Sequence, residues 1–355
     1  MEWKAENIEA DCECGLKTFK LYRGKPSCMR YIRQQIFKEI GKKGQEKLRK
    51  SSVAIIGLGA LGSSSAELLA RAGIGKLILI DRDIVELSNL QRQSLFNEND
   101  IGKAKAEQSK EHLKKINNEV KFTPIIDDLN FQNIEKIFND KIDIILECTD
   151  NLETRFLIND FCIKNQIPFI YSSAVGSKGY VFNVMPKITP CIKCFLKESS
   201  QLDTCETVGV LNTIIKLISS LQTNEAIKIL LKKSNFETKL LFFDVWRNEL
   251  SKFNVNKNKN CICCANAVFE YLNGKKSSQM IKLCGDDIYQ IKTKPIDKKQ
   301  FNEIKVKLKK IGRVIDFFYC INLNNKITIF TNGRALIKAK DEKEAKSLYS
   351  KFVGN

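Results

Sequence analysis

The chain has 355 residues, 43% of them hydrophobic, which is enough for one large domain or for a large domain with a small one. Its formal net charge of +18 favours acidic partners such as nucleotides, nucleic acid, a membrane surface or an acidic protein. The polar start from Met1 to Glu6 predicts no secretory signal, and no apolar run reaches the ~18 residues of a membrane span, so we expect a cytoplasmic protein without membrane contact. In a reducing cytosol, 13 cysteines argue for metal binding or catalysis before disulfides.

Strand-like and helix-like segments alternate after a basic, helix-like stretch at 29–50. We expect strands at Val53–Gly57, Lys76–Ile80, Val120–Ile126, Ile142–Leu146 and Pro168–Ser172, and helices at Ala60–Ala72, Lys103–Ile116, Phe131–Phe138 and Glu153–Asn165. This alternation predicts an α/β fold with a Rossmann-like, doubly wound sheet. Strands at Tyr180–Met185 and Lys239–Val245 would make the sheet mixed, with an apolar core helix within Gly209–Leu231 between them.

The pattern changes after Gly274–Ser278, which is typical of a linker. The expected elements are strands at Ile288–Ile291, Val314–Leu323, Lys326–Phe330 and Arg334–Lys338, and helices at Lys298–Lys310 and Glu342–Phe352. They predict a small C-terminal α+β domain of ferredoxin-like type. We therefore divide the chain into an N-terminal extension at 1–28, a large α/β domain at 29–273 and the small domain at 279–355.

A G-x-G-x-x-G motif, with Gly57, Gly59 and Gly62, lies between the first expected strand and helix. Glycines let the backbone approach a phosphate, and the helix N-terminus offers N–H donors to it. Asp81 ends the next strand, where a carboxylate can bind ribose hydroxyls. The motif predicts a nucleotide site, and at this point an NAD enzyme fits as well as an ATP enzyme.

Longer segments resemble the ThiF/MoeB/HesA adenylyltransferases, which are relatives of the ubiquitin-activating enzymes. The resemblance covers about residues 29–270 and lies in Arg30-Tyr-Ile-Arg33-Gln34, Asp81-Arg-Asp-Ile-Val-Glu-Leu-Ser-Asn89-Leu-Gln-Arg92-Gln93, Asp100-Ile-Gly-Lys-Ala-Lys105 and Cys148-Thr-Asp150-Asn151. The sequence departs from the family pattern at Ala60, where a further glycine is usual, and at Ala104, where a proline is common. Neither departure removes a functional group.

The resemblance implies roles for individual residues. Asp81 would hold the ribose of ATP, Asp150 would bind Mg²⁺, and the phosphates would be contacted by Asn89, Arg92 and Lys105. Arg33 would reach the nucleotide of a neighbouring subunit, which implies a homodimer. Because the attacking carboxylate is already ionised at neutral pH, no general base is required, and we expect the sole histidine, His112, to be a solvated helix residue.

Two C-x-x-C pairs, Cys191 with Cys194 and Cys261 with Cys264, predict a structural Zn²⁺ site of four thiolates. The family has the same arrangement near the end of its adenylation domain. Cys263 is then a spare thiol, or a ligand in place of a neighbour. A redox C-x-x-C pair is the alternative, but thioredoxin-like surroundings are absent from the sequence.

The remaining cysteines fall into three groups. Family members carry a cysteine at the position of Cys205, where some link covalently to the carrier or to sulfur, so we assign Cys205 a catalytic or sulfur-transfer role. Apolar segments predict core positions for Cys148, Cys162, Cys284 and Cys320. No role follows for Cys12, Cys14 and Cys28, which we interpret as incidental thiols. Nothing in the C-terminal part is typical of a rhodanese loop, so a separate sulfur donor is expected.

The resemblance implies an enzyme that uses ATP to adenylate the C-terminal glycine of a ubiquitin-like sulfur-carrier protein, preparing the carrier for thiolation in thiamine, molybdopterin or tRNA sulfur chemistry. An ATP-dependent tRNA-modifying dehydratase shares the fold but generally lacks the cysteine pairs. The function of an NAD-dependent dehydrogenase would give Arg92 and Lys105 no role. A nucleic-acid binding module rests on charge alone, because no basic patch is interleaved with aromatic residues. The sequence leaves open which carrier is used.

Overall fold

A computed structural model of the chain describes residues 30–197, 208–276, 280–282, 288–291, 296–317, 320–324, 326–331 and 333–353. The chain divides between Glu46 and Lys47 into two compact units. The described part of the first unit carries helix α1 (Ile32–Ile36), and helix α2 (Gly41–Lys50) begins in it.

An eight-stranded mixed sheet is the main element of the second unit. Its strands are β1 (Ser52–Ile56), β2 (Lys76–Ile80), β3 (Lys121–Ile125), β4 (Ile144–Glu147), β5 (Phe169–Val175), β6 (Lys178–Val184), β7 (Leu240–Asp244) and β8 (Glu249–Phe253). They lie in the order β3-β2-β1-β4-β5-β6-β7-β8, parallel from β3 to β5 and antiparallel from β6 onwards. Strand β1 is buried along its whole length, as its uninterrupted apolar run predicts. The predicted doubly wound mixed sheet is confirmed.

Helices connect the parallel strands. They are α3 (Ala60–Ala72), α4 (Lys105–Ile116), α5 (Ile134–Ile137) and α6 (Leu152–Asn165), followed by the long α7 (Asn212–Leu230). Helix α7 packs against α3, where the Ser65 hydroxyl donates to Gln222 at 2.9 Å and the Ser219 hydroxyl donates to the Leu61 carbonyl at 3.1 Å. The apolar segment before β7 is therefore a core helix, as predicted, and no helix of the described residues is long and apolar enough to cross a bilayer.

A second, six-stranded sheet follows in the C-terminal part. It contains β9 (Met280–Lys282), β10 (Ile288–Ile291), β11 (Val314–Phe317), β12 (Cys320–Leu323), β13 (Ile327–Phe330) and β14 (Ala335–Lys338), with helices α8 (Lys298–Lys309) and α9 (Glu342–Phe352). The order is β11-β12-β13-β14-β10-β9, with antiparallel neighbours throughout. Its own apolar cluster includes Leu308, Ile329 and Ile337. The predicted α+β class is confirmed, whereas the ferredoxin-like arrangement is wrong, because β11 to β14 form a meander.

Three details of the prediction are wrong. The strand expected at Val314–Leu323 is two antiparallel strands, β11 and β12. Strands β8 and β9 were not expected, although β8 pairs with β7 from Asp244 opposite Glu249 onwards. The boundaries proposed at 28, 273 and 279 stay predictions.

Candidate functional site

The order of the parallel strands places a crevice beside the glycine motif. Connections run in opposite directions from the neighbouring strands β1 and β4, which makes their carboxyl ends a topological switch point. Gly57 follows β1, and Asp150 follows β4 within three residues. Ligands of such sheets bind at this point.

The three motif glycines have different reasons to be glycine. At Gly57, φ is +87°, and a Cβ would lie 2.7 Å from the Cys148 carbonyl oxygen. At Gly62, in α3, a Cβ would lie only 1.8 Å from the Gly57 carbonyl oxygen. Next to Gly59 there is room, since the nearest heavy atom to a Cβ there is Gln93 Nε2 at 3.8 Å. Two glycines are therefore required by packing, and the third leaves space beside the loop.

Asp81 joins the glycine loop to the end of β2. Its Oδ2 accepts the Leu58 N–H at 2.6 Å, and its Oδ1 accepts the Asp83 N–H at 2.7 Å. The side chain is buried, and this burial raises the pKa of Asp81, opposed by the charge of Lys105. The carboxylate thus lies at the loop, as the sequence predicts.

Lys105 is brought to the same place by the backbone that precedes α4. Its N–H donates to the Asp83 carbonyl at 2.9 Å, and its Nζ lies 3.9 Å from Asp83 Oδ2. Burial alone would raise the pKa of Asp83, but Lys105, Arg82 and Arg334 outweigh it and hold the pKa at about 2. Arg82 in turn donates to Asp128 at 2.8 Å. The result is a network of charged side chains beside Asp81.

Asn89, Arg92 and Gln93 lie in the turns that follow β2. Asn89 is buried and accepts the Glu86 N–H at 3.3 Å, whereas Arg92 is partly exposed and donates to the Ser88 carbonyl at 2.9 Å. Gln93 is buried, and its Oε1 has no hydrogen-bond partner among the described residues. An unsatisfied buried amide next to the open side of Gly59 fits a site that is completed by a polar ligand.

Asp150 is exposed at the carboxyl end of β4, above a buried ion pair. Arg155 Nε donates to Glu147 Oε2 at 2.9 Å, and its Nη2 donates to the Thr149 carbonyl at 2.7 Å. Glu147 is fully buried and also accepts the Thr149 N–H at 2.8 Å. The pair fixes the turn that carries Asp150. Sequence reasoning missed it, although an acidic residue at the end of an apolar strand is a usable signal.

Two further candidates do not belong to the described residues of the second unit. Arg33 is exposed and belongs to the first compact unit. Cys205 lies outside the described residues. Their roles stay predictions.

The four predicted zinc ligands come together from two distant segments. Sγ atoms of Cys191 and Cys261 are 3.6 Å apart, those of Cys194 and Cys264 are 3.5 Å apart, and all four lie within 4.8 Å of one another. Tetrahedral Zn–S bonds of ~2.3 Å require sulfurs ~3.8 Å apart, so the geometry fits zinc. Burial and the neighbouring thiols of Cys194 and Cys261 raise the pKa of Cys264 to about 11, and a bound cation would favour the thiolate form.

Helix α6 ties the two zinc segments together. Asn159 accepts the Ile192 N–H at 3.0 Å and donates to Cys263 Sγ at 3.2 Å. Asp160 accepts the Tyr271 N–H at 2.9 Å and lies 3.1 Å from Lys193 Nζ. Cys263 thus accepts from an amide and is not one of the four clustered sulfurs, although its thiol also interacts with Cys191.

Other sequence expectations have mixed outcomes. Cys148, Cys162 and Cys320 are buried, as predicted, whereas Cys12, Cys14, Cys28 and Cys284 lie outside the described residues. His112 lies on helix α4, as expected, but it is only partly solvated, because its Nε2 lies 2.8 Å from Asp100 Oδ2 and its side chain is 21% exposed.

Known proteins resemble this chain over most of its length. The ThiF family matches residues 31–264. A relative from Bacillus subtilis (strain 168), the sulfur carrier protein ThiS adenylyltransferase, is 36% identical over 336 residues, which cover 92% of this chain and 99% of the relative. The protein of the same name from Escherichia coli (strain K12) is 36% identical over 241 residues, 66% of this chain and 94% of that protein.

Among solved structures, Escherichia coli MccB with ATP is similar to this chain. It superposes with a TM-score of 0.56 at 26% identity, over 62% of this chain and 68% of MccB. The site geometry, the family match and the near-complete coverage of the Bacillus relative agree. The chain therefore belongs to the ThiF family and is an adenylyltransferase.

Proposed function

We propose that this protein adenylates the C-terminal glycine of a ubiquitin-like sulfur-carrier protein, with ATP as the adenylyl donor and pyrophosphate as the product. The proposal rests on the convergence of the glycine loop, Asp81, Lys105 and Asp150 at the carboxyl ends of β1, β2 and β4. Relatives named ThiS adenylyltransferases support the class of substrate.

In the proposed reaction, a carboxylate oxygen of the carrier forms a bond to the α-phosphorus of ATP. The bond between that phosphorus and the bridging oxygen breaks, and pyrophosphate leaves with the electron pair. The carboxylate needs no base, because it is ionised at neutral pH. Fixed donors and cations that face the developing phosphate charge supply the main stabilisation.

Each candidate residue takes a part in this scheme. We assign the ribose hydroxyls to Asp81 and the phosphates to Asn89, Arg92 and Lys105. Exposed Asp150 offers the oxygen donor that Mg²⁺ prefers, and the ion would neutralise phosphate charge. The space beside Gly59, which is bordered by Gln93 Nε2, would accept the phosphate chain.

The remaining assignments complete the proposal. The four clustered cysteines would hold zinc as thiolates, and with four protein ligands the ion would have a structural role. The Cys205 thiolate would attack the carrier's acyl adenylate and form a thioester as AMP leaves, or would accept sulfane sulfur from the persulfide of a separate donor, whose thiolate leaves. Arg33 would act on the nucleotide of a second copy in a homodimer.

ATP–pyrophosphate exchange tests the proposal. Purified protein with Mg²⁺ is offered a panel of ubiquitin-like carriers ending in Gly-Gly, and exchange should depend on one of them. In Asp150→Ala and Arg92→Ala, exchange should fall by roughly 100-fold or more, as for loss of a transition-state donor.

Matched controls separate the site from general damage. Asp140→Ala removes a carboxylate that is 71% exposed and pairs with Lys76 at the opposite, amino end of β2. Arg71→Ala removes an arginine that is 58% exposed on α3. Both controls should keep the wild-type exchange rate. Absence of exchange with every carrier, in protein that binds ATP and zinc, would contradict the proposal and point to another substrate such as tRNA.

A further inference from the structure

One arginine of the C-terminal sheet reaches the loop that follows β2. Arg334 immediately precedes β14 and is only 3% exposed. Its Nη2 donates to the Arg82 carbonyl, and its Nη1 lies 3.3 Å from Asp83 Oδ1. The two partners belong to the segment that begins with Asp81, more than 250 residues earlier in the chain.

The C-terminal sheet holds this guanidinium in a fixed direction. The Phe330 ring centre lies 3.7 Å from Arg334 Cζ, and Gln290 Oε1, which is fully buried on β10, lies 3.4 Å from Nη1. A turn closed by the Phe330 N–H on the Arg334 carbonyl at 2.8 Å fixes the backbone. Little side-chain freedom remains to be lost when Arg334 contacts Asp83.

Asp83 is shared between Arg334 and two candidate ATP residues. Its Oδ2 faces Lys105 Nζ at 3.9 Å, and its N–H donates to Asp81 Oδ1 at 2.7 Å. Arg82 Nε also lies 3.7 Å from Asp83 Oδ1. Without Arg334, more of the charge of Asp83 would nevertheless be available to Lys105 and would compete with a phosphate for its ammonium group. With Arg334 on the other oxygen, the carboxylate stays in place and Lys105 remains available.

We propose that Arg334 is a positioning residue of the nucleotide site, which acts through Asp83 on Lys105 and makes the C-terminal sheet part of the ATP-binding apparatus. This inference rests on the proposed function, because it takes Lys105 as a phosphate ligand. A purely structural arginine would join the two sheets without any effect specific to ATP.

A double-mutant cycle on the full chain tests the proposal. The dissociation constant of Mg²⁺-ATP is measured by calorimetry without carrier, in wild type, Arg334→Met, Asp83→Asn and the double variant. We expect Arg334→Met to weaken ATP binding by about 10-fold, but by less than about 2-fold when Asp83 is already Asn, because residues that act through one another are not additive. Equal effects in both backgrounds would overturn the inference.

Further variants give the specificity of the effect. Arg313→Met, at an exposed arginine in the same part of the chain, should leave ATP binding unchanged. Arg334→Lys keeps the charge but not the two-pronged contact, so it should lose part of the affinity. If Arg334→Met does not fold, Arg334→Lys replaces it in the cycle. Equal effects of Arg334→Lys on ATP binding with Asp83 and with Asn at this position would again overturn the inference.

Kinetics add a readout that a structural role does not move. In carrier-dependent exchange, Arg334→Met should raise the KM for ATP and leave the KM for the carrier within about 2-fold, since uniform destabilisation would change both. Parallel changes in both KM values would overturn the inference. If the wild type fails to bind ATP, the proposed function itself is contradicted, whereas normal ATP binding in Arg334→Met overturns only the role of this arginine.

Discussion

Gly59 and Gly62 belong to one motif, yet the structure gives them separate tasks. Beside Gly62, a Cβ would meet the Gly57 carbonyl at 1.8 Å, so α3 approaches β1 only because this side chain is missing. Beside Gly59, the nearest heavy atom to a Cβ would be a side-chain amide nitrogen at 3.8 Å, so packing alone does not demand a glycine there. Packing explains Gly62, and for Gly59 we propose ligand access.

The two alanine variants should therefore differ. Gly62→Ala should lower the free energy of unfolding by about 1–3 kcal/mol or more, because backbone must shift to admit the methyl group. Gly59→Ala should leave the unfolding midpoint within a few degrees of wild type but weaken ATP binding. Thermal unfolding and ATP calorimetry on both proteins check this. Equal loss of stability in the two variants would mean that a methyl group does not fit beside Gly59.

Among the elements, helix α6 contributes to two sites. Its first turns contact the loop of Asp150, and its middle contacts the cysteine segments. Asn151 caps it by accepting the Glu153 N–H at 2.8 Å, and Arg155 in its first turns fixes the loop of Asp150. Farther along, Asn159 and Asp160 hold the two cysteine segments. Helix α6 therefore connects the loop of Asp150 with the cysteine cluster that fits zinc.

Substitution of two adjacent cysteines should show which of them holds the metal. Cys264→Ser removes a cluster sulfur and should lower both the zinc content and the unfolding midpoint. Cys263→Ser changes the atom that accepts from Asn159 but leaves the four predicted ligands in place, so it should retain one zinc per chain, at a cost of about 1 kcal/mol. Zinc release by a thiol reagent and thermal unfolding measure both properties. Loss of zinc from Cys263→Ser alone would mean that Cys263 is the fourth ligand.

Local patterns explain how much of the fold was predictable. Strands β1 and β2 are short apolar runs bounded by polar turns, so their positions follow from the sequence alone. Strand β8 was missed because its side chains are mostly exposed, as expected of a sheet edge. The reversal between β11 and β12 lies inside a continuous apolar run, where periodicity does not mark a turn.

In the candidate site, the predictable residues are those that lie close together in the sequence. The glycines, Asp81, Arg92 and Lys105 lie in short segments whose order carries the family resemblance. Arg155 with Glu147 was missed because the pairing depends on how β4 meets α6. The contact of Arg334 with Asp83 spans 251 positions, and only the folded chain brings the two together.

At the scale of the whole molecule, the net charge of +18 favours an acidic carrier. The KM for the carrier in the exchange reaction should then rise several-fold between about 50 and about 300 mM KCl, while kcat at saturating carrier stays within about 2-fold. Long-range attraction between the enzyme and the carrier accelerates their encounter and is screened by salt. The chemical step in the bound complex is screened much less. A carrier KM that is indifferent to salt would mean that the positive charge serves another purpose.

The burial of the cysteines has a practical consequence for chemical labelling. Cys148, Cys162, Cys263 and Cys320 are buried, and burial raises the pKa of Cys148 and Cys320 to about 12. Because the thiolate is the form that reacts with alkylating reagents, these side chains should not be alkylated in native, zinc-loaded protein at neutral pH. Rapid alkylation would then report on Cys12, Cys14, Cys28, Cys205 or Cys284, and its protection by bound carrier would single out the thiol that meets the substrate.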